Sequence, residues 1–348
     1  MLYAPLPRRA FLAQFALALK RGRLKQADTI LKKAAESGEV SAASATVRQR
    51  GSLIQFASGK ANPDTVFLLA SITKPMTAAA VMILEGRGQL ALADPVRKFI
   101  PEFQGGDRGV ITIQHLLTHT SGLPDMLPDN DELRKRHAPL KDFVAGACRV
   151  PLLFKPGTQC KYQSMGILLA AEIVERVTKT KLRAFLRSEV FQPFGMTQTS
   201  LGLGGRSIPS TAQCQIAGNG DWNWNSPYWR DLGAPWGGAH ATSGDIVRFL
   251  ERFLEPKNNV LKPEAARRMV TNHNQGLNEP WGLGFMVNGA KFSAKCSPDT
   301  FGHWGSTGTV CWADPATQTA FALLTTKPAA ESRGHVLAPV SDAVAEAA

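Results

Sequence analysis

No apolar run in the 348-residue chain approaches membrane-spanning length, so no transmembrane helix is expected. Its five cysteines (Cys148, Cys160, Cys214, Cys296 and Cys311) form no C-x-x-C pair, and their odd number argues against a closed disulfide framework. A reduced, cytoplasmic setting is therefore the expectation. The G-x-S-x-G elbow, the P-loop and G-x-G-x-x-G are all missing, which disfavours α/β-hydrolase and nucleotide-binding folds. H-E-x-x-H is missing too. His115 and His119 lie four apart but have no third ligand at a suitable spacing, so neither a metal nor a cofactor is expected. There is no internal repeat and no module interleaving aromatic with basic residues, so the net charge of +12 does not point to nucleic acid.

That charge is uneven: residues 1–50 hold ten basic residues against Asp28, Glu36 and Glu39. Within them Leu24 to Ala35 reads as a solvated amphipathic helix, in preference to a basic arm that touches anionic lipid or nucleic acid. Arg8-Arg9-Ala10-Phe11-Leu12 resembles a twin-arginine export motif, followed by the apolar run Phe11 to Leu19. The run is short and ends in Lys20-Arg21-Gly22-Arg23, where a cleavable signal has small, weakly charged residues. An N-terminal helix is the preferred reading, with export the alternative.

A hydrophobic content of 44% is enough for a large core in one big domain or two smaller ones. Ala45-Thr46-Val47 and Leu53-Ile54-Gln55-Phe56 flank an Arg50-Gly51 turn and predict a hairpin. A second hairpin is predicted where Thr309-Val310-Cys311-Trp312 and Thr319 to Thr325 flank Asp314-Pro315-Ala316-Thr317. Between these ends the pattern is helical, as at Ile167 to Val177 and Leu182 to Val190. The expected fold is α+β: an antiparallel sheet built from both termini (1–90 and 232–348) and flanked by helices, with a mostly helical region (91–231) inserted. Four tryptophans, Trp222, Trp224, Trp229 and Trp236, fall among Asn, Pro and Gly in one loop, where they either line a pocket or pin the loop by burying their rings.

The most informative stretch is Ser71-Ile72-Thr73-Lys74, at the start of a helix, Met76 to Leu84, that lacks a polar face. Residues i and i+3 share a helical face, so the hydroxyl and the amine point the same way. A desolvated lysine beside a serine loses its proton more readily and helps activate the hydroxyl as a nucleophile. One S-x-x-K is about what chance supplies in a chain of this composition, and the plainer reading is an N-cap serine followed by a solvated lysine. Context decides. Lys155-Pro156-Gly157-Thr158 and then Tyr162-Gln163-Ser164-Met165-Gly166 put a phenol at a loop-to-helix junction. Gly302-His303-Trp304-Gly305-Ser306-Thr307-Gly308 precedes the last hairpin, and Leu116-Leu117-Thr118-His119-Thr120-Ser121-Gly122-Leu123-Pro124 lies between the first two motifs.

In this order these stretches resemble the serine β-lactamase and penicillin-binding superfamily, in its class C-like branch with family VIII carboxylesterases and D-alanyl-D-alanine carboxypeptidases. The resemblance runs from about Leu24 to the C-terminus and includes Phe191-Gln192-Pro193-Phe194-Gly195-Met196-Thr197, Trp236-Gly237-Gly238 and Trp281-Gly282-Leu283-Gly284-Phe285. It implies a β-lactamase/transpeptidase-like fold with Ser71 as nucleophile. Lys74 and Tyr162 would share the proton work, the phenol kept partly ionised by nearby positive charge, and the order of proton transfer stays open. The backbone N–H groups of Ser71 and of Ser306, on the strand after His303-Trp304-Gly305, would form an oxyanion hole. His303, Trp304, Gly305, Ser164, Met126 and Trp236 would line the substrate site. His303 stands where the third motif commonly has lysine.

Two departures bear on substrate. The second motif is normally Y-x-N, whose amide holds an acylamino group, and here the third position is Ser164. Class C β-lactamases also carry a glutamine two residues after G-L-P, where this chain has Met126. Losing both amide-gripping groups favours a small ester over a β-lactam or peptide. The expectation is an esterase acting through an acyl-Ser71 intermediate on a small-molecule substrate. The alternatives are a β-lactamase or D-alanyl-D-alanine carboxypeptidase, an acyltransferase, and a catalytically idle scaffold. Oligomeric state stays open.

Overall fold

The computed structural model describes residues 21–348 apart from 219, 258 and 259. The Arg8-Arg9 stretch and the run to Leu19 lie outside them. Among the described residues no helix is long and apolar enough to cross a membrane.

The chain opens with helix α1 (Arg21–Glu36), then strands β1 (Ala42–Gln49), β2 (Ser52–Gly59) and β3 (Phe67–Leu68), and helix α2 (Thr73–Gly86). Helices α3 (Ile113–Leu117), α4 (Asn130–Lys135), α5 (Leu140–Arg149), α6 (Met165–Thr178) and α7 (Leu182–Leu186) follow, then β4 (Ser200–Leu201) and α8 (Pro227–Leu232). The last third holds β5 (Ala239–Ala241), α9 (Ser243–Leu254), α10 (Pro263–Met269), β6 (Met286–Val287), β7 (Phe301–Gly305), β8 (Thr309–Asp314) and β9 (Thr319–Thr325). It closes with α11 (Ala329–Ser332) and α12 (Ala338–Ala347).

Both predicted hairpins form. Arg50 and Gly51 take φ of 46° and 88°, the pair of positive values a two-residue hairpin turn needs, and β1 pairs with β2 from Gln49↔Ser52 to Ala42↔Gly59. β8 pairs with β9 and β9 with β1, giving an antiparallel sheet ordered β2-β1-β9-β8-β7-β6. The two ends of the chain thus meet at its centre.

Alternation along the strands sorts the sheet's two faces. Ala43, Ala45 and Val47 of β1 join Val310, Trp312, Phe321 and Leu323 in a core with Leu24, Leu31, Val340 and Val344 of α1 and α12. On the other face Phe301, Cys311, Ala313, Ala320, Ala322 and Leu324 belong to the larger core, with α2 at its centre. Every residue of α2 from Thr73 to Leu84 is buried, as its lack of a polar face predicts.

All six strands of the large sheet come from outside 91–231. Two features differ from a clean division there. β4, inside that region, pairs with β5, outside it, in a three-stranded sheet β3-β5-β4. The large core is also continuous, holding Phe143 of α5 and Leu169 of α6 together with Met82 of α2. The helical run from Leu182 is α-helical only to Leu186 and continues as a π-turn to Phe191.

Candidate active site

The segment leading to Ser71 is bent on purpose. Ala70 has φ of 48°, a left-handed conformation that costs a residue with a Cβ about 1–3 kcal/mol and persists only where surroundings impose it. Thr73 Oγ1 donates to Ala70 O at 2.7 Å and accepts from Ala239 N at 3.0 Å, while Leu69 N donates to Ala239 O at 2.9 Å. On the opposite side β7 comes so near that a Cβ on Gly305 would lie 2.3 Å from Leu69 O and 2.1 Å from Thr309 Oγ1. Only glycine fits there. Clamped between β5 and β7, Ala70–Ile72 forms one 3₁₀ turn ahead of α2, leaving Ser71 half-buried between two buried neighbours. Ser71 is no N-cap, because α2 starts after Ile72 without a side-chain cap.

Its hydroxyl has other partners. Lys74 Nζ lies 3.1 Å from Ser71 Oγ and also donates to Trp236 O at 3.0 Å. Tyr162 hydrogen-bonds the Ser71 side chain, and Lys74 Nζ sits 4.6 Å from the centre of its ring. Complete burial pulls the Lys74 pKa down to about 7, against a weaker upward pull from Asp125. Burial also pushes the Tyr162 phenol well above its ordinary range, although the Ser71 hydrogen bond acts in the other direction. The expected ionised phenol is therefore corrected. The cation that was to stabilise it is itself tending to neutral, and desolvation dominates both groups.

Tyr162 is held by its neighbours in the loop before α6. Lys161 N donates to His119 O at 2.9 Å, Gln163 N to His119 Nδ1 at 3.2 Å, and Ser121 Oγ to Gln163 Oε1 at 2.6 Å. Asn278 clasps Cys160 from outside, accepting from its N at 2.8 Å and donating to its O at 2.9 Å. His119 was weighed in the sequence only as a metal ligand. It is buried, with its ring 4.8 Å from that of Tyr162 and 4.5 Å from that of Trp281. Burial, then Lys74 and His303, lower its pKa well below 6.5, so it is neutral, and an accepting Nδ1 places the proton on Nε2. His115 instead closes a capping box with Thr112 at the start of α3. Among the described residues no group of three metal-ligating side chains occurs.

The third motif divides by strand alternation. His303 faces Tyr162, with ring centres 6.0 Å apart. Burial and Lys74 lower its pKa to about 3. Its Nδ1 lies 2.6 Å from Trp304 O, and its buried Nε2 has no hydrogen-bond partner among the described residues. Trp304 points to the other face, stacking on Phe292 beneath the Arg333 guanidinium and donating from Nε1 to Lys291 O at 3.0 Å. Its expected place in the substrate site is corrected, since adjacent strand residues cannot share a face. Ser306 lies in the turn just past β7, not on the strand, with its carbonyl accepting from Ala329 N at 2.9 Å. Trp236 is corrected as well. Its ring is buried against Phe143 and Trp229, and what it offers the site is its carbonyl, to Lys74.

The tryptophan loop mostly buries its own rings. Arg134 lies 4.1 Å from the Trp229 ring centre and 5.0 Å from that of Trp222. Arg230, fully buried, donates to Trp224 O, Thr211 Oγ1, Ala212 O and Asn225 Oδ1 at 2.7–3.1 Å.

Ser164 is buried, and its hydroxyl donates to Asp125 Oδ1 at 2.6 Å. Met126, next in the chain, is 37% exposed. Asp125 is a member of this constellation that the motifs do not reveal. A cleft of about 670 Å³ bounded by Leu140, Leu168, Tyr228 and Leu232 holds none of these side chains.

An antiparallel sheet flanked by helices, with a serine, a lysine and a tyrosine converging at the foot of its buried central helix, defines a β-lactamase/transpeptidase-like fold. The Beta-lactamase family model matches residues 27–346, and the chain belongs to that family. It is 39% identical over 148 residues to esterase EstB of Burkholderia gladioli, a match covering 38% of each chain, so only about two fifths of that relative's length is spanned. Among solved structures it superimposes on EstCE1, a hydrolase with promiscuous acyltransferase activity, with a TM-score of 0.79 at 21% identity over 93% of this chain and 99% of that one. A penicillin-binding protein homologue from Caulobacter crescentus gives 0.77 at 21% identity, over 94% and 98%. At these identities the structural matches speak for the fold alone.

Proposed function

We propose that this protein is a cofactor-free serine hydrolase that cleaves small, short-chain carboxylic esters through an acyl-Ser71 intermediate. The observation carrying this reading is the contact of Ser71 Oγ with Lys74 Nζ at 3.1 Å, in a site that lowers the lysine pKa to about 7. A neutral amine at that distance accepts the hydroxyl proton as Ser71 attacks the acyl carbon. Tyr162, protonated and hydrogen-bonded to Ser71, relays the proton to the leaving alcohol. The N–H groups of Ser71 and Ser306 receive the developing oxyanion. Water then repeats the sequence on the acyl-enzyme.

An ester is favoured over a β-lactam or peptide because no side-chain amide stands at the second motif to grip an acylamino group. The Ser164 proton is committed to Asp125, and Met126 has no amide to offer. The matching segment of an esterase supports the same choice. A β-lactamase or carboxypeptidase needs the missing grip. An acyltransferase differs only in the acceptor and is kept as the second reading. An idle scaffold has no use for a buried lysine beside a serine.

The test is Ser71→Ala with p-nitrophenyl butyrate as substrate. Turnover should vanish with the fold intact, because Ser71 caps no helix and its loss costs under about 1 kcal/mol. Activity near wild type would refute the nucleophile assignment.

A further inference from the structure

Asp125 is the unexpected charge at the second motif, bonded to Ser164. It is exposed, and it lies within electrostatic reach of both Lys74 and Tyr162. Among the described residues it belongs to no ion pair, in a chain where basic residues outnumber acidic ones by 40 to 28. Among the described residues its one direct hydrogen-bond partner is Ser164, 1% exposed, whose hydroxyl donates to Oδ1 at 2.6 Å. A buried hydroxyl thus holds one oxygen of an exposed carboxylate, and no described residue hydrogen-bonds the other. The neighbouring ring nitrogens add no competing charge, because His119 and His303 are both held neutral by burial.

We propose that Asp125, oriented by Ser164, is a specificity determinant that favours substrates carrying a cationic ammonium group near the scissile ester. This rests on the ester-hydrolase reading and narrows it. A carboxylate held in one orientation attracts a nearby cation more strongly than one free to turn in open water. The loss of the amide grip at Ser164 and the gain of this carboxylate contact are then one change, from holding a neutral amide to holding a positive charge.

Two matched ester pairs test this at pH 8.5, above the titration of Lys74. The first sets p-nitrophenyl 4-(trimethylammonio)butanoate against its neutral isostere p-nitrophenyl 5,5-dimethylhexanoate, and the second sets butyrylthiocholine against S-(3,3-dimethylbutyl) thiobutyrate. Wild type should prefer the cation by about three- to tenfold in kcat/KM in at least one pair, less so in 0.5 M NaCl. Asp125→Asn should bring that ratio to about one, and Ser164→Ala should reduce it in part. No cation preference in either pair, or one that survives Asp125→Asn, overturns the assignment. Binding of the same probes to Ser71→Ala, with and without Asp125→Asn, asks the question without turnover. Failure of wild type to hydrolyse any ester contradicts the hydrolase reading, while equal binding of cation and isostere contradicts the role of Asp125.

Discussion

Lys74 Nζ donates to the main-chain oxygen of Trp236 at 3.0 Å, so one N–H of the amine is fixed before any substrate arrives. Ser71 Oγ is its second contact, 3.1 Å away, and a neutral amine that turns its lone pair there can accept the serine proton. The family segment Trp236-Gly237-Gly238 therefore serves the site through backbone, with its indole buried beneath.

The pH dependence follows from the depressed Lys74 pKa. If the neutral amine is the base, kcat/KM for a neutral ester should rise with unit slope through about pH 7 and level off above it. Asp125 raises the Lys74 pKa, so Asp125→Asn should move this limb to lower pH. A flat profile from pH 5 to 9 would contradict the role of Lys74.

Stability should report the same group with a definite sign. The unfolded chain holds the Lys74 proton up to about pH 10.5 while the folded one releases it near 7, so stability rises with pH across that window. Lys74→Met removes this penalty. The variant should be inactive yet more stable than wild type at pH 7 by about 1–3 kcal/mol, with the gap narrowing toward pH 10 in denaturant titrations. Destabilisation at pH 7 would mean the lysine is not held near neutral.

Tyr162→Phe should lower kcat by roughly two to four orders of magnitude and leave the fold unchanged, because His119, Gln163 and Asn278 hold the loop through groups the change does not touch. Combined with Lys74→Ala the losses should fall short of additive, since the two groups move one proton. Full additivity would separate their roles.

What was legible in the sequence depended on how local the determinant is. The hairpins at Arg50-Gly51 and Asp314 to Thr317 and the buried helix after Ser71 are set by alternation, turn chemistry and an unbroken apolar stretch. The convergence of Ser71, Lys74 and Tyr162 was legible from spacing together with resemblance. Trp304 was misplaced although a period-two count from His303 puts it on the opposite face. The direction of the Tyr162 shift was hidden, because it depends on burial by segments distant in the chain. Asp125 sits in Leu123-Pro124-Asp125-Met126, which has no periodic signal, and its side chain is bonded by Ser164, 39 residues on. The buried Arg230 was missed for the same reason, its acceptors being supplied by a loop rather than a motif.

Selectivity should follow Ser164 and Met126. The kcat/KM ratio of p-nitrophenyl butyrate to nitrocefin should be large in wild type, and Ser164→Asn with Met126→Gln should shrink it by at most about ten- to a hundredfold, the yield of two neutral hydrogen bonds. Efficient nitrocefin hydrolysis by wild type would move the assignment to the β-lactamase branch.

The central claim, that Ser71 is an activated nucleophile, is tested most directly by intact-mass and peptide mass spectrometry after treatment with a fluorophosphonate. The account predicts a single adduct, located on Ser71 and formed faster above pH 7 than below it. No adduct, or one on another residue, would contradict it.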